Sequence, residues 1–316
     1  MAQERLRYVF GPVPSRRLGR SLGVDLVPFK VCSYDCIYCQ LGRTTRRTIE
    51  RAEYFPLESI LAEVERAVES GPGQDVITLS GSGEPTLYSR IGELIPALKS
   101  RTGLPVAVLT NGSLLWDPKV RADLVGADLV LPSLDAGDER LFRYVNRPHP
   151  AIAFERMIQG LQEFRKVYTG QLWLEVFLLA GVTAMEAEVR SIAEIAHTLA
   201  PDRIQLNTVT RPPAEGFAHP VPPERMQSLA SAFGGTAEVL GIARSRSKSD
   251  PSTRSDTEER ILELIQRRPC ALEDIASGLG IHPLEALKLT ERLVKSGQAS
   301  ATCHGTETFY VSKHPG

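Results

Sequence analysis

The chain has 316 residues, of which 42% are hydrophobic and 24% are charged, and its formal net charge is −1. This composition is typical of a soluble globular protein that buries a sizeable core and carries two domains. No stretch approaches the ~20 apolar residues of a membrane span, and the first residues do not resemble a signal peptide. Five cysteines, three of them clustered, favour a reducing compartment over a disulfide framework. We therefore expect a cytoplasmic protein.

Positive charge is concentrated at the N-terminal end, where residues 1–51 carry ten basic and four acidic side chains. Six of these arginines flank a cysteine-rich segment: Arg16, Arg17, Arg20, Arg43, Arg46 and Arg47. A basic rim around such a segment predicts a polyanionic substrate, with structured RNA as the first candidate. Solvated or ion-paired arginines are the alternative interpretation.

The cysteine-rich segment places Cys32, Cys36 and Cys39 at the spacing C-x₃-C-x₂-C. Three thiolates within eight residues suit an iron–sulfur cluster or zinc. A structural zinc site needs four ligands, whereas a four-iron cluster held by three cysteines keeps one iron open to a small molecule. The spacing therefore indicates chemistry rather than a purely structural role.

A second motif follows a predicted buried strand over Asp75–Leu79. It reads Ser80-Gly81-Ser82-Gly83-Glu84-Pro85-Thr86. Glycines allow the backbone to approach a ligand closely, and a carboxylate can pair with an ammonium group. The alternative is an ordinary strand-to-helix loop.

These two motifs, in this order, resemble the signature of the radical S-adenosylmethionine (radical SAM) superfamily. The family's aromatic residue before the third cysteine is Tyr38 here, and Ser82 stands at the first position of its Gly-Gly-Glu-Pro element. The resemblance implies one 4Fe–4S cluster on the three cysteines, with its open iron chelated by S-adenosylmethionine. It also implies reductive release of a 5′-deoxyadenosyl radical, which takes a hydrogen atom from the substrate, and a flavodoxin- or ferredoxin-type electron donor.

The resemblance further implies which residues hold S-adenosylmethionine. The methionyl end is expected on Gly81, Ser82, Gly83 and Glu84, with Glu84 accepting the ammonium group, and the adenine is expected near Tyr38. Further candidates follow predicted strands: Asn111, Ser133, Asp135 and Asn207. Capping of a helix or turn is the alternative role for the last three.

Short apolar segments alternate with amphipathic ones from about residue 22 to residue 235. Strands are predicted at Leu22–Val27, Val76–Leu79, Leu104–Leu109, within Leu124–Leu131, at Leu172–Leu179 and at Arg203–Asn207. Helices are predicted at Leu57–Glu69, Ile91–Lys99, Ala153–Val167 and Glu186–Leu199. This alternation predicts an α/β fold with a parallel sheet. Six such units match the partial (β/α)₆ TIM-type barrel of the radical SAM core, where chemistry gathers at the C-terminal strand ends.

A polar, Ser-rich run over residues 244–256 predicts a flexible linker between a core domain, residues 1–243, and a second domain, residues 257–316. The second domain is predicted to contain the helices Glu258–Arg268, Leu272–Leu279 and Pro283–Lys295 and a hairpin of Ala299–Thr302 and Thr308–Ser312. This order resembles a winged helix. Its seven basic and eight acidic side chains offer little phosphate neutralisation, so a protein- or substrate-docking role is as reasonable as DNA binding. Cys270 and Cys303 are predicted to be small buried residues rather than ligands.

Residues 8–235, including the segment Phe10–Gly23, resemble iron–sulfur oxidoreductases related to tRNA wyosine synthases. Wyosine synthases carry further cysteines and a Schiff-base lysine before the radical SAM cysteines. Here no cysteine precedes Cys32, and Lys30 is the only upstream lysine. We therefore predict a radical SAM enzyme that modifies a tRNA base or another anionic, nucleotide-like molecule. The alternative is a regulator that senses redox state or S-adenosylmethionine and acts through the winged helix, with a protein partner for that domain.

Overall fold

The structure is a computed structural model that describes residues 7–15, 17–71, 73–240 and 257–313. Up to residue 240 its strands are β1 (Val9–Ser15), β2 (Gly19–Asp25), β3 (Val31–Cys32), β4 (Arg46–Arg47), β5 (Val76–Ser80), β6 (Val106–Thr110), β7 (Leu129–Pro132), β8 (Gln171–Phe177), β9 (Arg203–Asn207) and β10 (Ala237–Val239). The helices of this part are α1 (Leu57–Ser70), α2 (Ile91–Thr102), α3 (Pro118–Leu124), α4 (Glu139–Val145), α5 (Phe154–Val167), α6 (Glu186–Leu199) and α7 (Pro223–Ala230).

Eight of these strands form one sheet in the order β1-β2-β5-β6-β7-β8-β9-β10. Strand β1 is antiparallel to β2, and all other neighbours in the sheet are parallel. Strands β1 and β10 are the two edges, so the sheet is an open, partial barrel. The predicted α/β fold is confirmed, and the six predicted strands correspond to β2 and to β5 through β9.

The outer face of the sheet is covered by amphipathic helices, as the sequence periodicity predicts. In α1 the buried residues Leu57, Ile60, Leu61 and Val64 recur at helical spacing, which places them on one face. They belong to the same apolar core as the alternate strand residues of the sheet's outer face, such as Ile77. This packing leaves the other strand residues facing the inside of the barrel.

Inside the barrel, a small apolar cluster forms a floor at the end where the parallel strands begin. It contains Val76, Ala107, Leu129 and Leu131, with Leu18 and Trp173 packed against it. Leu18 lies in the turn between β1 and β2, which reverses the chain at this end. The N-terminal strand ends are therefore filled, and the loops at the C-terminal ends carry the polar residues described below.

Residues 257–313 form a smaller unit with an apolar core of its own. Its elements are α8 (Thr257–Arg267), β11 (Cys270–Ala271), α9 (Leu272–Leu279), α10 (Pro283–Lys295), β12 (Ala299–His304) and β13 (Glu307–Ser312). The predicted helices and hairpin are present, and β11 adds a third strand in the order β11-β13-β12. Cys270 is buried as predicted, but Cys303 is exposed, because β12 is an edge strand of this sheet. The winged-helix class stays a prediction.

The predicted linker over residues 244–256 lies outside the described residues, so the domain boundaries also stay a prediction. The C-terminal unit contacts the barrel directly. Arg211 Nη2 lies 2.9 Å from Asp274 Oδ2 in α9, and Arg267 of α8 forms an ion pair with Asp25 at the end of β2. Within the part of the chain that the structure describes, no helix combines the length and the apolar character needed to cross a bilayer.

Candidate metal and cofactor site

The cysteine loop follows β2 and brings three half-buried, unpaired thiols to the C-terminal end of the barrel. A tight turn places the second and third cysteines together, since the Cys39 amide donates to the Cys36 carbonyl at 3.1 Å. The end of α4 and the segment after it hold the loop from the other side. There Ile37 N donates to Val145 O at 2.9 Å, and His149 N donates to Ser33 O at 2.8 Å.

The surroundings of Cys32 and Cys36 disfavour loss of their thiol protons in the absence of bound metal. Burial, together with the nearby Glu84 carboxylate, raises the pKa of Cys32 to about 12. Burial and then Asp135 raise the pKa of Cys36 well above its usual range. Bound metal reverses this, because a coordinating thiol is deprotonated outright. The site therefore suits a group that supplies positive charge.

The donor set fits an iron–sulfur cluster in its chemistry. Three cysteine sulfurs are the soft ligands that such clusters use. Among the described residues, no group of three or more His, Cys, Asp or Glu side chains has the arrangement of a single-ion site. A cluster does not need that arrangement, because each cysteine binds a different iron and the sulfurs need not converge on one point.

The second motif lies directly against the cysteine loop. Lys30 N donates to Ser82 O at 2.7 Å, and Glu84 N donates to Val31 O at 3.2 Å. A Cβ added to Gly83 would stand 1.9 Å from Val31 O, so this position requires glycine. The glycines of this motif were expected to let the backbone approach a ligand. At Gly83 the backbone instead approaches the cysteine loop.

The start of the second motif is anchored to the end of β2. Gly81 has a φ of +106°, and an added Cβ would stand 1.9 Å from Asp25 Oδ1. Ser82 N donates to the same Asp25 oxygen at 2.7 Å. Gly81 remains exposed, whereas the Ser82 side chain is buried. Position 82 requires neither a positive φ nor the absence of a Cβ, so a serine fits there.

The Glu84 carboxylate connects the second motif to the end of β6. Its Oε1 accepts hydrogen bonds from Thr86 N at 3.0 Å, Thr86 Oγ1 at 2.6 Å and Thr110 Oγ1 at 2.6 Å, and its Oε2 accepts from Asn111 N at 2.8 Å. Burial raises the pKa of Glu84, and these hydrogen bonds oppose the rise. Oε1 accepts three of these hydrogen bonds and Oε2 only one, so Oε2 is the oxygen with capacity for a further donor.

Asn111 is placed at the cysteines by the end of β6. Its Nδ2 donates to Ser33 Oγ at 2.8 Å and to Cys32 Sγ at 3.6 Å, and its Oδ1 accepts from Ser113 N at 2.9 Å. The predicted site residue therefore has both a capping contact and a contact with a cysteine sulfur.

Tyr38 and Asp135 form a buried pair next to the cysteine loop. The Tyr38 hydroxyl donates to Asp135 Oδ2 at 2.5 Å, and its ring stacks on Phe177 with centroids 3.9 Å apart. Asp135 also accepts from Asn146 Nδ2 at 2.7 Å and from Phe177 N at 3.0 Å. Burial raises the pKa of Asp135 to about 6, although these hydrogen bonds oppose the rise. Its oxygens are engaged by protein donors, so its direct effect is to orient Tyr38.

Ser133 and Asn207 stand at neighbouring strand ends, as predicted. Ser133 N donates to Thr110 O at 3.2 Å, and the residue is half-buried. Asn207 Nδ2 donates to Glu175 Oε1 at 3.0 Å, and Asn207 Oδ1 accepts from Thr208 N. The structure thus gathers all the predicted site residues at the C-terminal end of the barrel.

The predicted basic rim is wrong for two of its arginines, because the hairpin of β1 and β2 turns at the opposite end of the barrel. Arg17 reaches into the barrel from that end and pairs with Glu175 on β8. Arg20 stands near the start of β2, where its backbone amide bonds to Asp75 and its guanidinium packs against Gly73. Arg16 lies outside the described residues.

The arginines that follow the cysteines do lie beside the cysteine loop. Arg43 and Arg147 both approach Glu215 Oε1 at 2.6 Å, and Arg47 Nη1 donates to Arg147 O at 3.1 Å. Glu215 N in turn donates to Ile37 O within the cysteine loop. Arg46 is exposed and lies 3.5 Å from Glu50. We call Arg43, Arg46, Arg47 and Arg147 the basic edge.

Two residues that contact the cysteines were not predicted as site residues. Lys30 is buried, with 3% of its surface exposed, and its Nζ lies 3.1 Å from Cys39 Sγ. Asn146 Nδ2 lies 3.6 Å from Cys36 Sγ. Lys30 stands two residues before the first cysteine, and this proximity in the sequence could have identified it as a site residue. Asn146 follows Cys36 by 110 residues and has no such proximity.

Comparison with known proteins decides the family. The sequence profile of the Radical SAM superfamily matches residues 26–193, which include both motifs. The chain belongs to the radical SAM superfamily. Membership makes it an enzyme of SAM-dependent radical chemistry, and it implies an iron–sulfur cluster and S-adenosylmethionine at the site described above.

Relatives extend the similarity beyond the profile. A protein of Brachyspira hyodysenteriae named GTPase Obg is 39% identical over 295 residues, which are 93% of this chain, and this chain spans only 43% of that protein's length. A UPF0026 protein of Helicobacter pylori is 36% identical over 316 residues, which cover 99% of this chain and 100% of that protein. The crystal structure of a radical SAM methyltransferase from Sphaerobacter thermophilus shares the fold. Its TM-score is 0.54 at 19% identity, over 69% of this chain and 65% of that one.

Proposed function

We propose that this radical SAM enzyme holds one 4Fe–4S cluster on Cys32, Cys36 and Cys39 and uses it to cleave S-adenosylmethionine reductively. When bound, the cluster supplies the electron that releases a 5′-deoxyadenosyl radical, which abstracts a hydrogen atom from the substrate. One observation carries the proposal. The cysteine loop and the second motif are joined by the backbone bonds from Lys30 to Ser82 and from Glu84 to Val31, so any ligand of one loop lies beside the other.

The residues around this junction have separate tasks in binding S-adenosylmethionine. The exposed backbone of Gly81, with Ser82 and Gly83, suits the methionyl end, and the remaining acceptor site on Glu84 Oε2 suits its ammonium group. The stacked rings of Tyr38 and Phe177 suit the adenine. The weaker candidates for carboxylate and ribose contacts are Asn111, Ser133 and Asn207, while Asp135 acts through Tyr38.

We further propose that the substrate is an RNA base or another anionic, nucleotide-like molecule. Among the described residues, the four arginines of the basic edge face three carboxylates, Glu215, Asp35 and Glu50, so the edge as a whole keeps one excess positive charge. Arg147 also lies 4.0 Å from Asp35. Beside the edge, Tyr144 and Phe217 are 48% and 44% exposed, with ring centroids 6.3 Å apart. Exposed rings next to arginines are typical of single-stranded nucleic-acid sites, where bases stack on aromatic side chains.

The needs of the cluster indicate the electron donor and the compartment that we propose. A flavodoxin- or ferredoxin-type protein would supply single electrons to the cluster, and a reducing, cytoplasmic compartment would keep the three thiols available. Residues 1–243 and 257–316 are proposed as two domains, each with its own apolar core. The second domain, proposed as a winged helix, would dock a protein or the substrate.

The decisive experiment is anaerobic reconstitution of the full chain, followed by reduction in the presence of S-adenosylmethionine. We expect about four irons per chain, as a four-iron cluster requires, and 5′-deoxyadenosine in the product mixture. A variant with all three cysteines replaced by alanine should yield neither. A protein that holds the cluster and binds S-adenosylmethionine but never forms 5′-deoxyadenosine, with or without RNA, would favour the sensor. Tightly bound zinc without iron would refute both.

A further inference from the structure

Each of the three cysteine sulfurs receives a nitrogen donor from a side chain. Lys30 Nζ stands 3.1 Å from Cys39 Sγ, Asn111 Nδ2 stands 3.6 Å from Cys32 Sγ, and Asn146 Nδ2 stands 3.6 Å from Cys36 Sγ. The donors come from the loop after β2, the end of β6 and the end of α4. Three distant segments thus converge with one donor for each sulfur.

Further contacts hold the side-chain amides of Asn111 and Asn146 and the backbone of Lys30, so the placement of these residues does not depend on the sulfurs alone. Lys30 has a φ of +60°, its N donates to Ser82 O at 2.7 Å, and its O accepts from Thr45 N at 3.1 Å. The two amides each use one N–H for an oxygen. Asn111 donates to Ser33 at 2.8 Å, and Asn146 donates to Asp135 at 2.7 Å. An amide NH₂ group has two hydrogens, so one remains for the sulfur in each case.

The charge balance of the site gives Lys30 the largest effect. Glu84 and Asp135 are both buried, and their charges act on Cys32 and Cys36 respectively. A cluster with three thiolates is itself anionic and gains a further negative charge on reduction. Lys30 places a buried cation against one of its sulfurs, whereas the asparagines contribute dipoles. Hydrogen bonds to cluster sulfurs are among the features that set reduction potentials.

We propose that Lys30, Asn111 and Asn146 are a set of N–H···S donors that raises the reduction potential of the cluster, with Lys30 as the principal tuning residue. This inference rests on the cluster-binding part of the proposed function and does not require that S-adenosylmethionine be cleaved. Iron content, measured first, separates failure of the proposed function from failure of this inference. A chain that binds no iron fails the proposed function, and a chain with full iron content allows the tuning to be measured.

The test is the midpoint potential of the reconstituted cluster, followed by electron paramagnetic resonance during a redox titration. Lys30→Met replaces the cation by an uncharged, unbranched side chain of similar length. This variant should have a midpoint potential lower by at least about 59 mV, which for one electron corresponds to a tenfold change in the equilibrium constant. Lys30→Arg keeps the cation and should retain most of the potential. Arg46→Met is the matched control. This substitution also removes a positive charge beside the cysteine loop, from strand β4. Because the Arg46 side chain is 59% exposed, solvent screens its charge, and the midpoint potential should stay near that of wild type.

An unchanged midpoint in a fully loaded Lys30→Met variant would overturn the proposal. A second measurement on the wild-type protein decides the matter if that variant does not load. Protein labelled with ¹⁵N-lysine should show a nitrogen hyperfine coupling to the reduced cluster in pulsed resonance spectra, because the Lys30 ammonium lies against a cluster sulfur. Absence of any lysine coupling in the loaded wild-type protein would show that Lys30 does not contact the cluster.

Discussion

Arg267, the last residue of α8, forms an ion pair with Asp25, the last residue of β2, across 242 positions of the chain. The guanidinium also stacks on Phe10 of β1, with its carbon 4.4 Å from the ring centroid. The other oxygen of Asp25 accepts the Ser82 amide. A residue of the C-terminal unit is therefore only one side chain away from the motif proposed to hold S-adenosylmethionine.

We expect Arg267→Met to reduce both the stability of the protein and its affinity for S-adenosylmethionine. Asp25 is 6% exposed, and removing its cation leaves a buried charge without this partner, which costs about 3 kcal/mol in typical buried pairs. Denaturant unfolding and calorimetric titration of S-adenosylmethionine into the reconstituted protein measure the two effects. Asp274→Asn is the control, because it removes the charge from another contact between the two units, the Arg211–Asp274 pair, without touching Asp25. Equal affinities in the two variants would disprove a link between Arg267 and the second motif.

Glu84→Ala should weaken binding of S-adenosylmethionine at least tenfold. The substitution removes a charge-assisted hydrogen bond to the ammonium group, worth roughly 1.5–3 kcal/mol. It also leaves Thr110 and the Asn111 amide without their acceptor, so we expect lower stability as well. Thr86→Val is the control, because it keeps the Glu84 carboxylate and removes only one neutral hydrogen-bond donor to it. The affinity of this variant for S-adenosylmethionine should stay near that of wild type. The assignment of Glu84 fails if Glu84→Ala binds S-adenosylmethionine as wild type does.

Gly83→Ala should impair assembly of the site, since the new Cβ would stand 1.9 Å from Val31 O and force the two loops apart. Steric crowding of this kind typically costs about 1–3 kcal/mol. We expect less iron per chain after reconstitution and a lower unfolding temperature. Gly216→Ala is the matched control, because a Cβ there meets nothing within 4 Å. Full iron content in Gly83→Ala would show that the contact between the loops is not required for cluster binding.

The titration of Asp135 predicts a pH dependence of stability in the cluster-free protein. Burial raises the pKa of Asp135 from 3.8 to about 6, so the folded state binds this proton more tightly than the unfolded state. The contribution of Asp135 to the free energy of unfolding is therefore greatest at low pH and declines as the pH rises through 6. Between pH 5 and pH 7 we expect wild type to lose about 1 kcal/mol relative to Asp135→Asn, which lacks the titration. Urea unfolding of both proteins at the two pH values checks this, and parallel pH profiles would contradict it.

Binding of tRNA should depend on the basic edge and on salt. Between about 50 and 200 mM salt, affinity should fall by orders of magnitude if several phosphates are contacted. The triple variant Arg43→Ala, Arg46→Ala, Arg47→Ala should bind more weakly and with a shallower salt dependence. Arg20→Ala is the control because Arg20 lies at the opposite end of the barrel. Binding that is absent, or that does not respond to salt, would favour a small metabolite or a peptide as the substrate.

Local features of the sequence were sufficient to predict strands β2 and β5 through β9 and helices α1, α2, α5 and α6, but they did not predict β1, β10, α3, α4 or α7. Helix α6 covers the predicted range Glu186–Leu199, because apolar residues at helical spacing and flanking polar residues act within one or two turns. The spacing of Cys32, Cys36 and Cys39 indicated a cluster for a similar reason, since three ligands within eight residues are brought together by one loop. The alternation of strands and helices placed Asn111, Ser133 and Asn207 at the same end of the sheet.

Tertiary structure alone decided what these residues contact. The direction of the hairpin between β1 and β2 sends Arg17 into the barrel, where it pairs with Glu175, 158 residues away, although its sequence neighbourhood suggested the rim. The packing of α4 brings Asn146 to Cys36, and docking of α8 brings Arg267 to Asp25. Such pairs depend on how the sheet curves and how the C-terminal unit seats against it. Periodicity and spacing report local conformation and the order of the elements, but they do not determine which side chains of distant segments make contact.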